Sequence, residues 1–98
     1  MLRVSLISLA LVLAALTIAG SCSKPPGQSE FDRGLYELRR GNNVRAKALL
    51  EKSISTRPGS EENALAYNYL GLAAWRLGQY QAAQEAFEDS RRLSPNLL

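Results

Sequence analysis

The chain has 98 residues, a formal net charge of +3, no His and one Cys, with 46% apolar and 7% aromatic residues. That length holds one small domain at most, and the composition excludes imidazole catalysis, Cys/His zinc sites and an internal disulfide. The apolar residues are uneven, because residues 1–21 hold 15 of them and no aromatic, while all seven aromatics stand at Phe31 or later. An apolar leader followed by a small amphipathic body is the layout this predicts.

Met1-Leu2-Arg3 forms a basic tip, and the next charge is Lys24. Between them an apolar run from Val4 to Ile18 leads into the small residues Ala19-Gly20-Ser21, the pattern of a secretory signal over 1–21. Cys22 follows at once. The arrangement resembles the lipobox of bacterial lipoproteins, in a relaxed form with Ala19 where Leu is usual. The resemblance implies that Cys22 is acylated, becomes the mature N-terminus and anchors the chain to a bacterial envelope membrane. Ser23 rather than Asp after the cysteine resembles the outer-membrane sorting signal, which in a Gram-negative host implies the periplasmic face of that membrane. Two other readings stay open: residues 4–23 as an uncleaved inner-membrane anchor of roughly 20 uncharged residues, and a cleaved signal that leaves Cys22 a free thiol. A Ser- and Gly-ended segment makes a poor stop-transfer helix, and a lone exposed thiol is a liability in a secreted chain. Residues 22–28, with Pro25, Pro26 and Gly27, predict a flexible tether after the anchor cysteine.

The body divides at its glycines and prolines. A helix is predicted from about Ser29 to Arg40, a break at Gly41-Asn42, and a second helix from about Val44 to Arg57. Pro58-Gly59 stops that helix, and Ser60 is placed to cap the next, with Glu61 and Glu62 in its first turn. The run Glu61–Leu77 carries Tyr67, Leu70, Ala74 and Leu77 as a helical stripe. Gly78-Gln79 breaks it, and a fourth helix from Tyr80, with Ala83, Phe87 and Ser90 on the same face, ends before Pro95.

The second pair of helices copies the first. At an offset of 37, Gly34, Leu35, Arg39, Gly41, Ala46, Glu51, Ser53 and Pro58 meet Gly71, Leu72, Arg76, Gly78, Ala83, Glu88, Ser90 and Pro95, eight identities in 25 places. Background residue usage does not give that, so the body is a duplication. Tyr67, Leu70, Gly71, Gly78, Tyr80, Ala83, Phe87 and Pro95 resemble the signature of the tetratricopeptide repeat, a helix-turn-helix unit of about 34 residues. The resemblance implies an all-α fold: two such units, 29–60 and 61–98, whose four antiparallel helices form a short α-solenoid behind the signal peptide. Unit one departs from the pattern at Glu30, Arg33 and Glu37, which replace apolar residues, and at Asn43, which replaces the aromatic of the turn. Polar residues suit the side of a terminal unit that meets no neighbour. Glu61-Glu62-Asn63 are extra relative to the usual period. Two units have one interface between them, and a closing helix is not accommodated before Leu98. The apolar side of the last helix is therefore expected to meet a partner or a second copy, or else the chain is a shortened form of a longer repeat protein.

The residues favour binding over chemistry. Glu61-Glu62 and Glu85/Glu88/Asp89 are the only close carboxylates, and they fall at a helix start or on a wet face, so no catalytic, metal or cofactor role is assigned. Arg39, Arg40, Arg45, Lys47, Lys52 and Arg57 are interrupted by Glu37 and Glu51, and an exported chain does not routinely meet nucleic acid, so nucleic acid is not an expected partner. Residues 27–60 carry a net +3 and residues 61–98 a net −2, a polarity compatible with head-to-tail self-association. By resemblance, the first helices of the two units line a concave groove that takes a peptide or helix of a protein partner. The groove residues are Phe31, Leu35, Leu38 and Arg39 from unit one and Asn68, Leu72, Trp75 and Arg76 from unit two. Trp75 lies off the packing stripe, which leaves it free either to anchor a ligand or to pack on Leu38 between the units.

Overall fold

The computed structural model describes residues 24–95; the signal segment 1–21, Cys22 and residues 96–98 lie outside the described residues. Four helices follow in order: α1 (Gln28–Arg39), α2 (Asn43–Thr56), α3 (Asn63–Arg76) and α4 (Tyr80–Leu93). No strand occurs among the described residues. α1 packs on α2, α3 on α4, and α3 lies mainly along α2, so two hairpins stack side by side.

Each hairpin turns in the same way. Gly41, with φ 81°, donates its N–H to Leu38 O at 3.1 Å while Asn42 N–H reaches Glu37 O at 2.9 Å. In the second hairpin Gly78, with φ 77°, donates to Trp75 O at 2.9 Å and Gln79 N–H to Ala74 O at 2.9 Å. This pair of bonds closes a helix on a left-handed residue, where a side chain beyond glycine is strained. The turns that were legible as Gly-Asn and Gly-Gln are thus copies in three dimensions. Close helix approach has a different cause. A Cβ on Gly71 would lie 2.6 Å from the Phe87 ring, and one on Gly34 would lie 3.0 Å from Leu50.

The buried interior is made of small and aliphatic residues. Ala46, Leu50 and Ala73 are fully buried, and Leu38, Ala46 and Ala73 form one cluster beneath Tyr69 and Leu72. Buried serines hold the helices in register. Ser53 Oγ donates to Gly27 O at 2.8 Å, and Ser90 Oγ donates to Ala64 O at 2.7 Å, the same bond one repeat later.

Four local expectations change. The tether does not extend to residue 28: Gln28 N–H closes a turn on Pro25 O at 3.1 Å, and Gly27 is buried against α2, held by the Ser53 bond. α3 begins at Asn63, not Glu61, and Ser60 does not cap it. Instead Ser60 Oγ accepts Glu62 N–H at 3.3 Å in a preceding turn, and Glu62 pairs with Arg57. Asn63, only 1% exposed, donates its side-chain amide to Ile54 O and Arg57 O, so the inserted residues bind the two repeats together. Glu37 does not face an open side. It is 9% exposed and accepts Asn42 Nδ2 at 2.6 Å, a partner that makes burial tolerable. Finally Tyr80, assigned to the packing face of α4, is 60% exposed.

Candidate functional site

The eight groove residues separate on folding. Leu38 is core, 5% exposed, and has no surface to offer a ligand; this corrects its assignment to the groove. Its neighbours explain the burial, since Ala73, Tyr69 and Leu72 of α3 close over it. Phe31 is half-buried with its ring edge-on to Tyr69 at 6.2 Å, part of the seam between repeats. Arg76 donates to Leu38 O at 3.1 Å, so it latches α3 to the end of α1 while remaining exposed. Leu35, Asn68 and Leu72 are half-buried, and Arg39 and Trp75 are exposed. Asn68, Leu72, Trp75 and Arg76 sit at helical spacings of three and four residues, which puts them on one side of α3.

Trp75 does not pack on Leu38. It is 57% exposed and stands edge-on to Tyr80, ring centroids 4.7 Å apart. The two aromatics border a cleft of about 760 Å³ on the far side of the second repeat, floored by Ala83 and Phe87 and flanked by Arg91 and Pro95. Arg91 is the only charged residue that lines it, and it makes no ion pair among the described residues. Large apolar side chains left in water around a concave surface mark a place where a partner sits.

Counting back 37 residues from the cleft identifies its counterpart in the first repeat. Trp75, Ala83, Phe87 and Arg91 correspond to Leu38, Ala46, Leu50 and Ile54, and those four are all buried, at 5%, 0%, 0% and 9% exposure. What covers them is the second repeat, chiefly α3. The cleft is therefore the repeat-to-repeat face, present twice in the chain and covered once among the described residues.

A family model for the tetratricopeptide repeat matches residues 28–96. The chain belongs to the tetratricopeptide repeat family. That is a family of helical protein-interaction repeats, and binding a protein is the function the membership gives. No similar curated protein and no similar solved structure was found.

Several members of the other charged clusters are paired within the chain. Arg40 lies over the Tyr36 ring at 5.3 Å and donates to its hydroxyl at 3.0 Å, Lys47 donates to Gln79 at 2.6 Å, and Arg57 is held by Glu62. Asp89 pairs with Arg92 at 2.7 Å and Glu88 accepts Gln84 at 3.2 Å. Among the described residues no group of three or more His, Cys, Asp or Glu could hold a metal, and no helix is long and apolar enough to cross a membrane. Reading the sequence missed Arg91 and Tyr80 as cleft residues. The offset of 37 contained the signal, because it sets Arg91 opposite the aliphatic Ile54.

Proposed function

We propose that this tetratricopeptide repeat chain is a non-catalytic adaptor, tethered to a bacterial envelope membrane through a lipid on Cys22, that holds a protein partner against the membrane surface. In a Gram-negative host the surface is the periplasmic face of the outer membrane. The single observation that carries the binding half is the exposed Trp75–Tyr80 pair, since aromatic side chains of this kind dominate the energy of protein interfaces. On the concave side, Leu35, Arg39, Asn68, Leu72 and Arg76 extend the surface from Trp75 toward the first repeat. The tether half is supported by the apolar run, Ala19-Gly20-Ser21 and the position of the one cysteine.

A second reading is favoured by the cleft itself: an accessory subunit whose second repeat stacks on a partner through the face that Trp75, Ala83 and Phe87 line.

Intact mass of the membrane-extracted chain tests the tether. The expected product begins at Cys22 and carries acyl chains, and Cys22→Ser leaves an unprocessed precursor. Any other mature N-terminus, or an unacylated Cys22, refutes it. In-cell crosslinking from a photoreactive residue at Tyr80 tests the adaptor reading, with one defined protein adduct as the expected result and none as the refuting one.

A further inference from the structure

We propose that the cleft beside Trp75 receives an amphipathic helix of a protein partner, seated as α3 is seated on the first repeat, with an acidic first turn beside Arg91. This deepens the accessory-subunit reading and rests on it. The chain supplies its own template, because the covered and the open face share their positions.

Three contacts fix how α3 lies on its face. Its N-terminal end is held where Asn63 donates to Ile54 O at 3.2 Å. Its C-terminal end is held where Arg76 donates to Leu38 O at 3.1 Å, and just beyond it Gln79 accepts Lys47 at 2.6 Å. Moved on by 37 residues, Ile54 becomes Arg91, Leu38 becomes Trp75 and Lys47 becomes Gln84. A helix entering in the same direction therefore starts beside Arg91 and Pro95 and ends beside Trp75.

Chemistry then selects the occupant. On α3 the seam against the first repeat includes Ala66, Tyr69 and Ala73, with both alanines at most 2% exposed. The cleft has Trp75 where that seam meets Leu38, so a small residue is required even more strongly at the position of Ala73. Arg91 in place of Ile54 removes an aliphatic contact and adds a cation at the helix start. A carboxylate in the first turn answers that cation and also suits the positive end of the helix dipole.

A second copy fits less well. Among the described residues, the other free repeat face belongs to α1, where Asp32, Tyr36 and Arg39 hold the positions of Tyr69, Ala73 and Arg76. Tyr36 is too large for the place of a fully buried alanine, and Asp32 is already engaged by Gln28 at 2.9 Å and Lys24 at 3.7 Å. Burying that carboxylate against Trp75 and Ala83, the counterparts of the Leu38 and Ala46 on which Tyr69 packs, would strip it of water without a new partner.

The probe is a fluorescein-labelled synthetic peptide of residues 60–77, titrated by anisotropy with the full chain in detergent micelles. It carries the α3 seam, and Glu61 and Glu62 supply the acidic start. Saturable binding is expected, weakened at least tenfold by Ala73→Arg in the peptide and by Glu61→Lys with Glu62→Lys. In the full chain Arg91→Glu should weaken the parent peptide about tenfold and restore the lysine peptide. Arg91 is an exposed residue of α4, so this variant keeps the fold, and rescue of the lysine peptide by Arg91→Glu excludes entry at the first-repeat face, where the cation beside Glu62 is Arg57 and Arg91 takes no part. Equal binding of the parent and Ala73→Arg peptides overturns the inference. Loss of binding in Asn68→Arg with none in Arg91→Glu puts the ligand on the concave side, which sinks the inference but leaves the adaptor reading standing. A full chain that sediments as a dimer and is split by the peptide makes the occupant a second copy, and the partner assignment is then wrong. A crosslink at Tyr80 without peptide binding overturns the inference and leaves the accessory-subunit reading standing, whereas peptide binding without a crosslink overturns that reading and the partner assignment with it.

Discussion

Leu38 and Trp75 hold the same place in the two repeats, yet one is 5% exposed and the other 57%. The same contrast recurs at Ile54, which is buried, and Arg91, which is in water. The backbone around each pair is alike: the same glycine turn, the same serine bond and the same close crossing of helices. Only the covering differs, since α3 lies over the first face. A repeat fold thus gives equivalent residues equivalent backbones, and leaves the next element to decide whether a side chain is core or contact surface.

The largest effect should come from emptying the covered face. Leu38→Ala or Leu50→Ala removes a buried side chain and leaves a cavity, with an expected loss of about 2–5 kcal/mol. A body of about 70 ordered residues has little more than that in reserve, so urea unfolding should show a largely unfolded chain. A variant that unfolds like the parent would mean that the seam between the repeats contributes nothing.

The glycine crossings sharpen the comparison further. Alanine gains about 1 kcal/mol over glycine in a helix interior. At Gly71 the added Cβ meets a rigid ring at 2.6 Å, so overpacking of about 1–3 kcal/mol outweighs that gain. At Gly34 the nearest atom is Leu50 Cγ at 3.0 Å, farther than the ring lies from Gly71, so the overlap is smaller and the two terms nearly cancel. Thermal unfolding should therefore rank Gly71→Ala well below Gly34→Ala. The opposite order would show that Phe87 yields more readily than Leu50.

Next come the serines, where the repeats should behave alike. Ser53→Ala and Ser90→Ala each delete one buried hydrogen bond to a helix-start carbonyl, and each should cost about 1 kcal/mol. A much smaller cost at Ser53 would show that the turn at Pro25–Gly27 is not docked in solution.

What the sequence revealed, and what it hid, follows the same division. The four helices, their glycine turns and the duplication were legible because they depend on local spacing and on φ angles that few residues adopt. Helix ends shifted by one or two residues where side chains chose partners across the chain. Asn63 reached back to Ile54 and Arg57, and Ser53 reached Gly27, and nothing in the local pattern specifies such bonds. Groove residues were legible as a register on α1 and α3, but Leu38 was lost to the core because exposure depends on which helix lies opposite. The offset located the cleft only once it was clear that one of the two equivalent faces was covered.

Trp75→Ala should have the smallest effect on stability. More than half of the side chain is already in water, and its one ring partner is Tyr80, itself 60% exposed. An edge-on aromatic pair contributes about 0.5–1.5 kcal/mol when packed, and exposure places this pair at the low end, so the unfolding midpoint should move little. Circular dichroism should show unchanged helix, because Gly71, Ala74 and the seam of Ala66, Tyr69 and Ala73 are untouched. Partner capture should nevertheless fall by about 2 kcal/mol or more, as truncation of an interface tryptophan does. The same change at Leu38 should do the reverse, with helix lost first and binding lost only as its consequence. If Trp75→Ala instead unfolds the chain, the aromatic pair belongs to the core and the two faces are less different than their exposure says. If neither helix nor capture changes, Trp75 is not the anchor, and the observation that carries the binding reading falls with it.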